Sequence, residues 1–365
     1  MRIGIDCRLS GLAHAGIGRY IENLIVRLPQ QAPDIDWVFF FHDSQQIPAA
    51  LNGEIVLVPI RHYSLSEQLK LPIIFRRANL DLLHVPHFNV PYFYSGKLVV
   101  TIHDLLWHEQ RGSQVTTLNP WTYWLKYAAY RQVAKRAAQR ADQIIVPAQT
   151  IKNTLAKYYP FTAAKTNVTY EGVDDRLVTH RQSSVKKLPQ RLIFVGSLYP
   201  HKNVSLIIDA LRQLPDWELL IVGARNIFQE NIKKLVVKYQ LSERVSFAGY
   251  LPDDKLAQEI QRAAALVQPS LSEGFGLTGI EALALQTPVL ASNIPIFKEI
   301  YGKAAIYFDP HSVDSFINSL PQLKSFDLGT AQQVVAKYSW DEMTAQTIEI
   351  YRQAIKSSSS KIIPE

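Results

Sequence analysis

The sequence predicts an α/β protein made of two Rossmann-like lobes. Three observations lead there. Each half opens on an apolar strand, a loop and a helix, at residues 1–25 and again at 191–211. Short apolar runs then continue the strand-and-loop rhythm along both halves. Between them, residues 176–190 bring Thr, Ser, Lys and Pro into the apolar pattern and read as a linker. A chain of 365 residues with 47% hydrophobic content can build two cores, since domains hold about 100 to 200 residues each. The expected division is residues 1–180, residues 186–338, a last helix over 340–356 and a flexible tail over 357–365.

Residues 1–6, Met-Arg-Ile-Gly-Ile-Asp, read as a short buried strand, and 16–25 as a helix entered through Gly16 and Gly18. Such a loop lets bare backbone approach a phosphate or a sugar; taken alone, the glycines serve a turn equally well. It is not a dinucleotide fingerprint, because G-x-G-x-x-G needs glycine where Ile21 stands. Residues 97–106 form an apolar strand ending in His103 and Asp104, a polar pair placed to touch a sugar, although a lone histidine is as often structural. His84 and His87 lack carboxylate or cysteine neighbours at metal-ligand spacing and read as structural.

Residues 121–140 carry Trp, Leu, Ala, Val and Ala at positions 121, 125, 129, 133 and 137, an apolar stripe at helical spacing. Lys126, Arg131, Lys135, Arg136 and Arg140 point elsewhere, and Trp124, Tyr127 and Tyr130 lie nearby. An ordinary helix covering the sheet explains this pattern; so does a helix lying on an acidic membrane, with Arg76 and Arg77 adding to the anionic-acceptor surface.

In the second half, Lys202 falls where a loop turns into a helix. A cation there neutralises the charge that grows on a departing diphosphate; without the flanking strand and helix it would read as a surface lysine. Residues 217–223 and 244–256 continue the pattern. The most informative run is Ser270-Leu-Ser-Glu-Gly-Phe-Gly-Leu-Thr-Gly-Ile-Glu-Ala-Leu-Ala, which sets Glu273 and Glu281 eight positions apart. Gly274, Phe275 and Gly276 bring bare backbone to a ligand, and a helix beginning near Leu277 offers unpaired N–H groups and the positive end of its dipole. A diphosphate fits there without a metal. Helical side chains lean toward the N-terminus, so Glu281 can reach over the first turn to ribose hydroxyls, while Glu273 faces another part of the ligand. The bare spacing also describes two solvated charges around a glycine turn. Placement after the strand 263–269 and before the strand 287–292 favours the ligand, because open α/β sheets bind at the carboxyl ends of their strands. Residues 339–342, Ser-Trp-Asp-Glu, read as a capping box opening the last helix, with Met343, Thr347, Ile350, Tyr351 and Ala354 along one side.

Composition narrows the class. Cys7 is the only cysteine, which excludes an internal disulfide and suits a reducing compartment. Met1 leads directly into the first strand without a signal peptide, and no apolar run approaches the roughly 20 residues that span a bilayer, so a cytoplasmic location is expected. A formal charge of +7 and a pI near 9.2 favour anionic partners such as phosphates or acidic lipids. Nucleic acid is not expected: there is no zinc-finger spacing, RNA-binding aromatic signature or basic tail.

The run 270–281, together with 289–295, Glu299 and 304–310, resembles the donor site of family 4 retaining glycosyltransferases of the GT-B fold, and the likeness extends over nearly the whole chain. It implies two lobes facing across a cleft and a last helix that crosses back to the first. It implies catalytic roles for His103, beside the transferred sugar, and for Lys202 and Glu273. Donor contacts fall on Gly16, Gly18, Arg19, Ser197, Gly223, Tyr250, Leu251, Gly274, Phe275, Gly276, Leu277 and Glu281. Many relatives carry arginine where Ser197 stands, which leaves more of the diphosphate's charge to Lys202, with Arg19 as a second cation. The resemblance implies hexose transfer from a nucleoside diphosphate sugar to a glycan or lipid-linked acceptor in polysaccharide or glycoconjugate assembly, without cofactor or metal. GDP-mannose is the first choice of donor, and UDP- or ADP-sugars remain open. A nucleotide-sugar epimerase of the same fold and a non-catalytic nucleotide-sugar binding protein are the alternatives. Peripheral contact with the inner face of the cell membrane goes with a lipid-linked acceptor.

Overall fold

The computed structural model describes residues 1–11, 15–49, 51–109, 120–223 and 226–356. In chain order the first part runs β1 (Arg2–Asp6), α1 (Ala15–Gln31), β2 (Asp36–Phe41), β3 (Glu54–Leu57), α2 (Leu65–Arg77), β4 (Leu82–Val85), β5 (Leu98–Thr101), α3 (Leu106–Glu109), α4 (Pro120–Arg140), β6 (Gln143–Val146), α5 (Gln149–Tyr158) and β7 (Thr166–Val168). The second runs α6 (Asp175–Thr179), β8 (Leu188–Val195), α7 (Val204–Leu211), β9 (Glu218–Val222), α8 (Asn226–Lys238), β10 (Val245–Gly249), α9 (Asp253–Arg262), β11 (Ala263–Gln268), α10 (Leu277–Ala284), β12 (Val289–Ser292), α11 (Pro295–Tyr301), β13 (Ile306–Phe308), α12 (Val313–Ser319), α13 (Leu328–Val335) and α14 (Trp340–Lys356). Two compact units result. One holds Met1–Leu105, α4 through Glu171, and α14; the other holds α3 and Gly172–Tyr338.

The first unit is a parallel sheet in the order β3-β2-β1-β4-β5-β6-β7. Its inner strands are apolar runs rather than alternating patterns because helices cover both faces; Val38, Phe39, Phe40 and Phe41 in β2 are all fully buried. Gly4 lets β1 pass under its neighbours, since a Cβ there would stand 2.4 Å from Leu80 and 2.9 Å from Phe40. The β1–β2 crossover steps one way along the sheet, whereas β3–β4 and β5–β6 step the other. Right-handed crossovers therefore put α1 on one face and α2 and α4 on the opposite one. Beside α1 lies α14, held by Arg27 Nε to Asp341 Oδ1 at 3.0 Å, by His84 Nδ1 to the Tyr351 hydroxyl at 2.6 Å, and by Lys97 Nζ donating to the Ile355 carbonyl.

The second unit repeats the scheme, in the order β10-β9-β8-β11-β12-β13, all parallel. Its core is aliphatic: Ile207, Ile208 and Leu211 of α7 pack with Leu219 and Ile221 of β9 and Val267 of β11. Each such buried side chain contributes about 1.5–3 kcal/mol relative to exposure. In both sheets the chain reverses direction between two adjacent strands, β1 and β4 in the first and β8 and β11 in the second. Such switch points open a crevice at the carboxyl ends of the strands.

Three sequence expectations change. The units divide between Glu171 and Gly172 rather than near residue 180, and the expected linker is bound to the second unit. Its first residues belong to α6, Gln182 N donates to Gln261 Oε1 at 3.0 Å, Gln261 Nε2 returns a bond to the Gln182 carbonyl at 2.9 Å, and Leu188 already opens β8. Polar composition marked it as a linker, but side-chain amides tie it down. The capping box at the last helix is half made: Glu342 N donates to Ser339 Oγ at 3.4 Å, while the Glu342 carboxylate accepts from Gln346 Nε2 at 2.8 Å. Finally, the stripe through Trp121, Leu125 and Ala129 faces outward. The buried side of α4 is instead Tyr123, Tyr127, Ala134, Ala137 and Ala138, because the helix turns these two tyrosines and its small residues inward. The expected tail, 357–365, lies outside the described residues.

Candidate active site

The loops that leave the switch-point strands β8 and β11 carry Lys202 and Glu273. Pro200 to Lys202 form one turn of 3-10 helix, and Asn203 then takes a left-handed conformation (φ +55°) that asparagine tolerates. Asn203 Nδ2 donates to the Pro310 carbonyl at 2.8 Å, and Leu271 N donates to the His201 carbonyl at 2.7 Å, so the two loops are fastened to each other. Lys202 Nζ lies 2.6 Å from Glu273 Oε1, and Ser270 Oγ donates to that same oxygen at 2.8 Å. Burial alone would raise the Glu273 pKa. The charge and hydrogen bond of Lys202, with His201 and Ser270, outweigh it and hold the carboxyl below its usual range.

A ledge of glycines lies along the carboxyl edge of β8, β9 and β10. Gly196 (φ +147°), Gly223 (φ +81°) and Gly249 (φ +66°) follow one another, with Gly196 N donating to the Val222 carbonyl at 3.0 Å and Gly223 N to the Gly249 carbonyl at 2.7 Å. A Cβ on Gly249 would meet nothing within 4 Å, and one on Gly223 only the Gly196 backbone at 3.7 Å. The backbone is bare and approachable there. Tyr250, 65% exposed, and half-buried Leu251 follow at the end of this ledge; half-buried Ser197 follows Gly196.

The third part is the start of α10. Gly276, its N-cap, sits at φ +100°, and no side chain caps the helix, so the first-turn amides keep their capacity to bind an anion. Gly276 is glycine for space as well as for φ: a Cβ would come within 2.2 Å of the Tyr301 hydroxyl and 2.9 Å of Phe297. That hydroxyl lies between Gln268 Oε1 and the Gly276 carbonyl, and Gln268 Nε2 donates to Thr278 Oγ1 at 2.9 Å. Leu277 opens the helix, half-buried like Gly274 before it. The Phe275 ring is 4% exposed and packs edge-on to Tyr338, 5.4 Å between centroids, which anchors the loop from within. Glu281 is likewise buried rather than displayed, close enough to Tyr301 for its charge to push that phenol's pKa up further, after burial and Glu273.

In the first unit, His103 follows β5. Its Nδ1 is 3.3 Å from Glu171 Oε1, its Nε2 3.2 Å from the Pro86 carbonyl, and its ring stands edge-on to Tyr20 at 4.7 Å. Gly18 has an internal reason to be glycine, since a Cβ would lie 2.1 Å from the Gly11 carbonyl oxygen; Gly16 faces open space. Arg19 is half-buried in the first turn of α1, and its carbonyl accepts from Asn23 Nδ2 at 3.0 Å. His84 is fully buried between Thr101 (2.8 Å) and Tyr351, a structural position as expected.

Sequence reasoning missed Gly196, Gln268, Tyr301 and Glu171. Gln268 carried a usable signal, a lone amide at the end of an apolar strand. Tyr301 and Glu171 carried none, because each reaches its partner across dozens of residues. A cavity of about 680 Å3 in the first unit, lined by Gln149, Asn167, Glu349 and Arg352 among others, lies apart from all of these residues.

Two family descriptions match successive parts of the chain: Glycosyltransferase Family 4 over residues 14–177 and Glycosyl transferases group 1 over residues 175–335. The chain is a family 4 glycosyltransferase. This decides for transfer over the epimerase and binding-protein readings. Among its relatives is the O-antigen chain mannosyltransferase RfbU of Salmonella typhimurium, 26% identical over 293 residues, which are 79% of the glycosyltransferase and 78% of the relative. Two solved structures share its GT-B fold. Sucrose-phosphate synthase from Thermosynechococcus elongatus superposes with a TM-score of 0.76 at 18% identity, covering 98% of the glycosyltransferase and all of that chain. Anabaena Alr3699/HepE, in complex with UDP and glucose, gives 0.73 at 17% identity, with 96% and 99% covered.

Proposed function

We propose that the glycosyltransferase moves a hexose, mannose first and a glucose-type sugar next, from a nucleoside diphosphate sugar to a glycan or lipid-linked acceptor with retention of anomeric configuration. The observation that carries this reading is the Lys202–Glu273 pair beside the uncapped N-terminus of α10, at the switch point of the second sheet. The mannosyltransferase relative supports mannose, and the UDP- and glucose-bound structure supports a nucleoside diphosphate donor. GDP-mannose is the proposed donor.

In this mechanism the bond from the anomeric carbon to the diphosphate breaks while the acceptor oxygen bonds to the same carbon on the same face. Lys202 and the α10 amides stabilise the charge growing on the diphosphate, and its leaving oxygen takes the acceptor's proton. Glu273 orients sugar hydroxyls, Glu281 the ribose, and the bare backbone from Gly249 to Leu251 meets the nucleobase. Ser197, Gly223, Tyr250, Gly274, Phe275, Gly276 and Leu277 complete the donor contacts, Phe275 through its main chain. From the first unit, Gly16, Gly18, Arg19 and His103 enter by family resemblance, for the diphosphate and the transferred sugar. The reading needs no metal and no cofactor. Among the described residues no helix is long and apolar enough to cross a membrane. A lipid-linked acceptor goes with peripheral contact with an acidic membrane, at its cytoplasmic face.

A thermal-shift series with GDP, UDP, ADP and their sugars tests the donor, with GDP and GDP-mannose expected to raise Tm most. Transfer from GDP-mannose in excess chelator should persist, and the product's anomeric proton coupling should match the donor's. Stabilisation by another base alone, or an inverted product, would replace this reading.

A further inference from the structure

On α2, Leu65, Leu69 and Ile73 stand 84%, 62% and 49% exposed at helical spacing, while Glu67, Leu71 and Phe75 on the other side are buried. The one acidic residue of this helix is thereby removed from the surface: Glu67 accepts from Arg8 at 2.9 Å and from Asn89 at 2.8 Å. What remains outside, around the apolar stripe, is Lys70, Arg76 and Arg77. The neighbouring helix α4 contains no acidic residue in its whole length, exposes Lys126 and Lys135, and presents Trp121, Trp124 and Leu125 to solvent.

The two helices share one face of the sheet and are joined by the segment after β4. Tyr92 N donates to Gln68 Oε1 of α2 at 2.7 Å, the Arg136 guanidinium of α4 lies 5.1 Å over the Tyr92 ring, and Phe88 meets Tyr130 edge-on at 4.9 Å. Phe93, in this same segment, is 60% exposed. Among the described residues Lys70, Arg76, Arg77, Lys126 and Lys135 have no carboxylate partner, whereas Arg2, Arg27, Arg262 and Arg352 each have one. Cations of one sign around large apolar side chains match a surface that is anionic outside and hydrocarbon beneath.

We propose that the α2–α4 face of the first unit docks on an anionic lipid bilayer, with Leu65, Leu69 and Ile73 entering the headgroup region beside the tryptophans of α4. This deepens the membrane part of the proposed function and does not depend on the donor assignment. The surface is broader than the stripe expected on α4 alone: Trp121 and Leu125 of that stripe are exposed, and α2 adds a second row of exposed apolar side chains.

Vesicle flotation of the full chain tests it, with phosphatidylcholine vesicles and with vesicles containing phosphatidylglycerol. Wild type should float only with the acidic vesicles, and less as salt rises. A Leu65→Ser/Leu69→Ser/Ile73→Ser variant should lose at least tenfold in apparent affinity, and a Lys70→Gln/Arg76→Gln/Arg77→Gln variant on the order of 100-fold. All six side chains are exposed, so Tm should match wild type and confirm folding. Wild type that never floats, or variants that float like it, overturns the proposal. A wild-type dimer in sedimentation equilibrium that the apolar variant dissociates, without flotation, assigns the face to a second copy instead. Transfer to a soluble acceptor, measured alongside, keeps failure here separate from failure of the donor reading.

Discussion

Lys202 Nζ and Glu273 Oε1, 2.6 Å apart, join the loop after β8 to the loop after β11. The pair holds the lysine in one place, and Ser270 Oγ donates to the same carboxylate oxygen. Such preorganisation is what makes a cation effective against charge that develops only in the transition state.

Lys202→Ala should therefore lower kcat by about 100- to 1000-fold, the usual cost of removing one such group. It should also reduce stability, by up to about 3 kcal/mol, since it strands a mostly buried carboxylate. Steady-state kinetics and urea denaturation read the two effects, and wild-type kcat would remove Lys202 from the mechanism. Glu273, with its folded pKa lowered, contributes stability that is present above the unfolded value of about 4.3 and is lost as pH falls through the folded one.

Glu281→Ala should act on binding rather than on turnover. Lost hydrogen bonds to a carboxylate are worth about 1.5–3 kcal/mol, so the Kd for GDP should rise by about 10- to 150-fold. Calorimetric titration gives the answer directly; an unchanged Kd would detach Glu281 from the ribose.

The glycines separate packing from ligand approach. Gly18→Ala drives a methyl into the Gly11 backbone and Gly276→Ala one into Tyr301, so both should lower Tm. Gly16→Ala meets open space and should leave Tm unchanged while weakening donor affinity. Equal Tm for all three would refute the packing argument, and unchanged donor affinity in Gly16→Ala would remove that residue from the site.

Acid should weaken the first unit through His84. Burial, the largest cause, and the nearby His103 push its pKa down to about 3, against about 6.5 when unfolded. The unfolded chain takes up a proton that the folded one refuses, so stability falls as pH drops from about 6.5 toward 3, at most by about 1.4 kcal/mol per unit. Tyr351→Phe removes one partner of His84 and should cost about 1–3 kcal/mol near neutral pH. Urea midpoints from pH 8 to pH 4 measure both.

Much of the fold could be read along the chain because parallel strands covered on both faces are continuous apolar runs. β1, β11 and the start of α10 at Leu277 appear where those runs and glycines place them. The Lys202 and Glu273 loops were legible for a similar reason: each follows directly on a strand that the sequence marks. The unit boundary was not, since the amide pairing of Gln182 with Gln261 leaves no local trace.

The sequence by itself determined two α/β units, the order of their strands and helices along the chain, and where the glycine-bearing loops follow the strands, because periodicity and glycine placement are local properties. Only the tertiary structure decided that Lys202 is paired with Glu273, that Tyr301 underlies Gly276, and that α2 adds a second exposed apolar row to the one on α4. Those outcomes depend on which side of each element faces the sheet and on contacts between residues far apart in the chain, and close packing settles them jointly rather than one segment at a time.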